Sequence, residues 1–123
     1  MSKKILAVVD DMFFMVKIGD AAKRAGFEAQ FLKSEKDVLA QITAERPQMV
    51  IVDLNGNSVE PVRLIEKIKG AAAMKGLTVI GFVSHVQGEL KQAAHDAGAD
   101  MVLARSAFSS NLPAILKRHA SAA

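Results

Sequence analysis

The sequence predicts a doubly wound α/β domain, a five-stranded parallel sheet with five helices on its two faces. Three observations carry that expectation. Short apolar runs that do not alternate with polar residues recur along the chain, as strands covered on both faces of a parallel sheet do. Between them lie segments with apolar residues at steps of three and four and a charged back, the pattern of helices resting on a sheet. The two patterns alternate strictly, with no linker, repeat or low-complexity segment to interrupt them.

The first strand is expected at Ile5 to Val9, ending at Asp10, and the first helix turns Met15, Ile18, Ala22 and Ala25 inward before Gly26. Glu28 to Leu32 is weaker and reads as an edge strand. Ser34, with Asp37 three residues on, predicts an N-cap and an acidic first turn for a second helix whose inner face carries Val38, Leu39 and Ile42. Met49 to Val52 gives the third strand, ending at Asp53, and Val62, Ile65 and Ile68 the third helix, closed by Gly70. Leu77 to Val83 is the fourth strand, ending at Ser84. The fourth helix follows through Leu90, Ala93, Ala94 and Ala97 to Gly98. Met101 to Ala104 is the fifth strand, ending at Arg105, and Leu112, Ile115 and Leu116 mark the last helix. Gly26, Gly70 and Gly98 stand where left-handed C-caps belong, and residues 120–123 read as a frayed tail.

A chain of 123 residues is one domain's worth of polypeptide, able to hold a single core without staples. With no Cys, disulfides and thiolate metal sites are excluded. Half of the residues are hydrophobic and 24% are charged, a globular profile far from the disordered one. No apolar run approaches the roughly 18 residues of a membrane span. Ile5 to Val9 is too short for the core of a signal peptide, so the expected compartment is the cytoplasm, with no membrane partner. The net charge of +3 is small and its carriers are scattered, without the basic stripe or interleaved aromatics that nucleic-acid binding requires.

In open α/β sheets ligands bind beyond the carboxyl ends of the strands. Asp10 and Asp11 follow strand one, Asp53 closes strand three, Ser84 and His85 follow strand four, and Arg105 and Ser106 follow strand five. Three carboxylates gathered at one edge repel each other and call for a cation to keep them ionised. Oxygen donors alone favour Mg²⁺ or a similarly hard ion, and an Arg beside them suits the oxygens of a phosphoryl group. The inferred chemistry is the handling of a phosphoryl group.

Over essentially its whole length the sequence resembles the receiver domain of two-component response regulators, with their flavodoxin-like topology. In that family an acidic pair after the first strand holds Mg²⁺, the Asp ending the third strand accepts the phosphoryl group, a Ser or Thr ends the fourth and a Lys the fifth. Asp10 and Asp11, Asp53 and Ser84 match residue by residue, and the turn Ala97-Gly98-Ala99-Asp100 is family-like. The resemblance implies that Asp53 is the phosphoacceptor. It assigns the metal to Asp10, Asp11, Asp53 and the main-chain carbonyl of Asn55, and phosphoryl contacts to Ser84 and Arg105. The donor would be a histidine kinase or phosphotransfer protein. Residues 1–123 would form one receiver without an output domain, signalling by protein contact through the fourth helix, last strand and fifth helix. Such a domain is a regulator, catalysing at most its own phosphorylation and dephosphorylation.

Departures from the pattern concentrate on the reporting side. The fifth-strand Lys is Arg105 and the usual following Pro is Ser106; Arg is forked, bulkier and differently hydrated, so the exchange is not conservative. The Pro usually found four residues beyond the phosphoacceptor is Asn57, preceded by an Asn55-Gly56 turn. The usual aromatic three residues before Arg105 is Val102, and the chain has no Tyr at all. Two functions stay open: a phosphorylatable receiver with an unconventional output, and a pseudo-receiver that binds partners regardless of phosphate. Arg105 is either a phosphoryl contact or a structural partner that locks Asp53 in an ion pair.

Met12, Phe13, Phe14 and Met15 cannot all face inward from one helical turn. Met15 fits the buried stripe. Phe13 and Phe14, with Val102, are therefore candidates for a partner surface; the other readings are a hydrophobic cover on the loop after Asp53 and a shield over the acidic pocket by Phe14. His85, His95 and His119 read as solvated. Neither Gly-x-Ser-x-Gly around Ser84 nor GxGxxG after the first strand is present, which disfavours a hydrolase and a dinucleotide fold.

Overall fold

The computed structural model describes residues 3–56, 59–70, 77–84 and 88–121. Strand and helix alternate as β1 (Lys3–Val8), α1 (Met12–Arg24), β2 (Phe27–Phe31), α2 (Glu35–Glu45), β3 (Met49–Asp53), α3 (Pro61–Gly70), β4 (Thr78–Val83), α4 (Gly88–Ala97), β5 (Met101–Ala104) and α5 (Arg105–Ser121). All strand pairs are parallel and the order is β2-β1-β3-β4-β5, so β2 is an edge strand as its composition suggested. The chain reverses its direction of travel across the sheet between β1 and β3, which opens a crevice at their carboxyl ends. Asp10 and Asp53 leave the sheet on either side of that crevice.

Side chains alternate across each strand and so divide the core into two layers. Ile5 and Ala7 of β1, Met49 and Ile51 of β3 and Ile80 and Phe82 of β4 pack under α1 and α5. Leu6 and Val8, Val50 and Val52, and Val79 and Val83 pack under α2, α3 and α4. Among the described residues no helix is long and apolar enough to cross a membrane.

Local signals fare unevenly. Ser34 caps α2, its Oγ accepting from the Asp37 N–H at 3.1 Å, and Gly26 and Gly98 adopt φ of 84° and 115° after α1 and α4. Gly70 does not take a positive φ and is the last residue of α3, whereas Arg46, a residue with no glycine-like freedom, closes α2 at φ 48°. The buried stripe of α1 is Phe14, Ile18, Ala21 and Ala22, rotated from the expected one. Met15 and Ala25 are only partly buried, because the larger ring of Phe14 takes the contact with the sheet by stacking on Phe82 at 4.8 Å. The last helix starts at Arg105, directly after β5, well before its periodic residues, and carries Pro113 in its interior. Its backbone is helical to Ser121; the rest of the expected frayed tail lies outside the described residues.

Candidate functional site

Asp53 ends β3 and is the one charged side chain among the described residues that is buried, at 3% exposure. It shares the strand parity of Met49 and Ile51, so its carboxylate lies on the α1/α5 side, next to Phe82, its partner in the β3–β4 register. The Asn55 N–H donates to Asp53 Oδ1 at 2.9 Å, and Asn55 Oδ1 in turn accepts from the Ser84 N–H at 2.8 Å. These two bonds tie the ends of β3 and β4 together. They use the backbone of Ser84 and leave its hydroxyl for other work.

Gly56 closes this turn, its N–H donating to the Asp53 carbonyl at 3.1 Å. A Cβ there would stand 3.2 Å from that carbonyl oxygen and 3.4 Å from Asp10 Oδ2, so the acidic side chain after β1 lies directly against the turn after β3. Asp11 is the N-cap of α1: its Oδ1 accepts from the Phe13 N–H at 2.8 Å and from the Phe14 N–H at 3.4 Å.

Arg105, first residue of α5, reaches the same point from the other flank. Its Nη2 is 3.5 Å from Asp53 Oδ2, the outer limit of a hydrogen bond, and its Nε is buried without a partner. The guanidinium carbon lies 5.1 Å from the ring centroid of Phe14 and 5.9 Å from that of Phe82. Both distances are within cation–π range. Burial pushes the Asp53 carboxyl above its ordinary pKa; the Asn55 N–H and then Arg105 oppose this, while the charges of Asp10 and Asp11 add to it.

Asp10, Asp11, Asp53, Asn55, Ser84 and Arg105, predicted as one site, thus meet at one edge of the sheet. His85 and Asn57 lie outside the described residues. Among the described residues no three acidic or histidine side chains converge as ready metal ligands, Asp11 being turned toward the N–H groups of α1 and Asp53 Oδ2 facing Arg105. The donor set is nonetheless all oxygen, with the Asp10 carboxylate brought against the Asp53 main chain at Gly56, and that chemistry fits a hard divalent cation.

The expected partner surface needs correction. Phe14 is 7% exposed and Val102 4%, so neither is available to a partner. Phe14 is held in the ring stack, and Val102 points into the layer under α4. Phe13 is 65% exposed, and its companions are Met12 and Val16. Val16 was legible as the residue three after Phe13 and four after Met12, hence on the same face of α1. Phe82, the other ring beside Arg105, carried no signal beyond being apolar in a strand.

No family model matches the sequence, and no curated protein matches it. Solved structures do. The chain superposes on the chemotaxis response regulator CheY4 of Vibrio cholerae with a TM-score of 0.81 at 20% identity, over 97% of this chain and 99% of that one. The fold is that of response regulator receivers. The phosphorylated cyanobacterial phytochrome response regulator RcpA matches the same receiver fold with a TM-score of 0.79 at 20% identity, covering 96% and 91%. The Mn²⁺-bound response regulator Rcp1 matches it with 0.76 at 18%, covering 94% and 90%. In this receiver fold the crevice at β1 and β3 is the place that Asp10, Asp11 and Asp53 line.

Proposed function

We propose that the chain is a signalling receiver that takes a phosphoryl group onto Asp53 from a histidine kinase or phosphotransfer protein and acts through protein contact in the cytoplasm. The observation that carries this reading is the Asp53 carboxylate: buried at the carboxyl end of the central strand, oriented by the Asn55 N–H, and flanked by both an acidic pair and a guanidinium. In the transfer a carboxylate oxygen of Asp53 bonds to phosphorus as the phosphorus–nitrogen bond of the donor breaks. The electron pair returns to the imidazole, which takes up a proton from water.

The protein's part is orientation and charge. Asn55 holds Oδ1 by its N–H at 2.9 Å, while Oδ2 meets Arg105 only at 3.5 Å and is the less tightly held of the two oxygens. Arg105 and the Ser84 hydroxyl are the groups suited to the new phosphoryl oxygens. Asp10, Asp11, Asp53 and the Asn55 carbonyl would hold Mg²⁺, which when bound neutralises the crowded carboxylates and the transferring group. That RcpA is phosphorylated and Rcp1 binds Mn²⁺ supports both assignments.

Incubation with Mg²⁺ and acetyl phosphate, followed by intact mass, tests the reading. The wild type is expected to gain one phosphoryl group and Asp53→Asn none. A wild type that stays unmodified beside an ordinary receiver modified in the same tube overturns it. One observation favours the second reading, a phosphate-independent interaction module: Arg105 already faces Asp53 Oδ2, and Asp11 is engaged as a helix cap. Under that reading Asp53→Asn binds the partner as well as the wild type does.

A further inference from the structure

We propose that Phe14 is a positioning residue that holds the Arg105 guanidinium at Asp53, so that this site is built for arginine and not for the lysine usual in receivers. The inference rests on the phosphoacceptor reading of Asp53 and assigns a role to a residue from a different helix. Arg105 has little to hold it by hydrogen bonding: its Nη2 is at the limit of contact with Asp53 and its Nε is buried with no partner. What fixes it is the pair of rings below it, with Phe14 the nearer at 5.1 Å. Those rings are themselves fixed, Phe14 stacked on Phe82 at 4.8 Å and Phe82 on Phe108 at 4.5 Å with only 15° between the planes.

A planar, weakly hydrated guanidinium lies well on an aromatic face; a compact, strongly hydrated ammonium on a flexible stem does not stay there. The rings also account for the buried Nε. Stacking places the guanidinium beside Asp53 with hydrogen-bonding capacity in reserve, and a phosphoryl group on Asp53 would bring three acceptor oxygens to it. The same α1 turn bears Phe13, edge-on to Phe14 at 5.3 Å and exposed to solvent. Movement of the guanidinium would therefore be felt at the exposed start of α1, through Phe14 rather than through Val102.

Two readouts test this. In ¹⁵N-labelled protein without any phosphodonor, the Arg105 Nε–Hε cross-peak, assigned by its loss in Arg105→Lys, is expected upfield in the wild type because the guanidinium lies over the Phe14 ring. Phe14→Leu should move it toward the position of exposed arginines and Phe14→Tyr, which keeps the ring, should not. Phe108→Leu, which loosens the same stack, should move it less than Phe14→Leu does. With Mg²⁺ and acetyl phosphate, Phe14→Leu and Arg105→Lys should each slow the mass gain about fivefold, and the double variant little more than either.

An Arg105 cross-peak that ignores Phe14→Leu, or shifts equally with Phe108→Leu, overturns the proposal. So does an Arg105→Lys variant phosphorylated as fast as the wild type. If no variant, wild type included, gains a phosphoryl group, the phosphoacceptor reading falls, while the cross-peak still decides whether Phe14 holds Arg105.

Discussion

Under α1 and α5 the buried core includes four phenylalanines, Phe14, Phe27, Phe82 and Phe108, whereas under α2, α3 and α4 the described buried residues are Leu, Ile, Val and Ala only. Both layers are built of buried apolar side chains, and either would serve to hold a sheet. They differ in direction. Aliphatic contacts are isotropic, while a ring has a negative face that can position a cation. Strand parity puts Asp53 on the aromatic side, so the carboxylate and the rings meet at the end of that layer, with Arg105 between them. The aliphatic side is braced at the opposite end of the sheet by Lys69, whose Nζ donates to the Leu77 carbonyl and pairs with Asp100, both at 2.7 Å.

The sharpest way to break this contrast is to remove one large side chain from each layer. Phe82→Ala should cost about 3–5 kcal/mol and Leu64→Ala about 2–5 kcal/mol, read from urea unfolding. If Asp53 is the phosphoacceptor as proposed, only Phe82→Ala should also slow the mass gain with Mg²⁺ and acetyl phosphate. A Leu64→Ala protein that slows equally would mean that the two layers support the site alike.

A smaller effect separates the two glycine caps. At Gly98, φ 115°, a Cβ would stand 2.8 Å from Lys69 Cγ, while at Gly26, φ 84°, it would meet nothing within 4 Å. Gly98→Ala is therefore expected to cost about 1–3 kcal/mol from backbone strain and displacement of Lys69, and Gly26→Ala less, from strain alone. Thermal unfolding of the two variants in parallel gives the order. Reversal of that order would show that Lys69 yields at no cost.

The smallest expected change is a gain. The folded pKa of Asp53 is raised, chiefly by burial, so its contribution to stability is complete below the unfolded carboxylate range and is lost as pH rises through the folded value. At neutral pH the charged form is a burden that Asn does not carry. Asp53→Asn should thus melt above the wild type at pH 7, with the gap closing as the pH falls into the unfolded carboxylate range. Adding Mg²⁺ should stabilise the wild type more than the variant. A gap that widens on acidification would contradict the assigned direction.

Much of the fold is legible in the sequence. The five apolar runs and the helical stripes between them announced the alternation, because burial on both faces leaves no room for polar residues in a strand. That Asp10, Asp11, Asp53, Ser84 and Arg105 share one edge of the sheet was legible because each stands at the carboxyl end of a strand in a sheet whose topology brings those ends together. Ser34 announced its cap because capping is a local interaction between neighbours in sequence. Arg46 did not, since its left-handed conformation is imposed by the chain's need to turn from α2 into β3 and not by any preference of arginine.

The face that α1 presents was beyond the sequence. Met12 to Val16 offers more large apolar residues than one face can take, and periodicity alone fitted Met15 as well as Phe14. The choice is made by what lies across the interface: Phe82 on β4, itself stacked on Phe108 of α5, presents a ring face on which Phe14 stacks. The same holds for Arg105, whose charge and strand-end position are sequence properties but whose partners, Phe14 and Phe82, lie far away in the chain. Sequence by itself determined which residues reach the edge of the sheet, because period and strand ends are local; only the tertiary structure decided which of them touch, because packing selects among side chains that local pattern leaves equivalent.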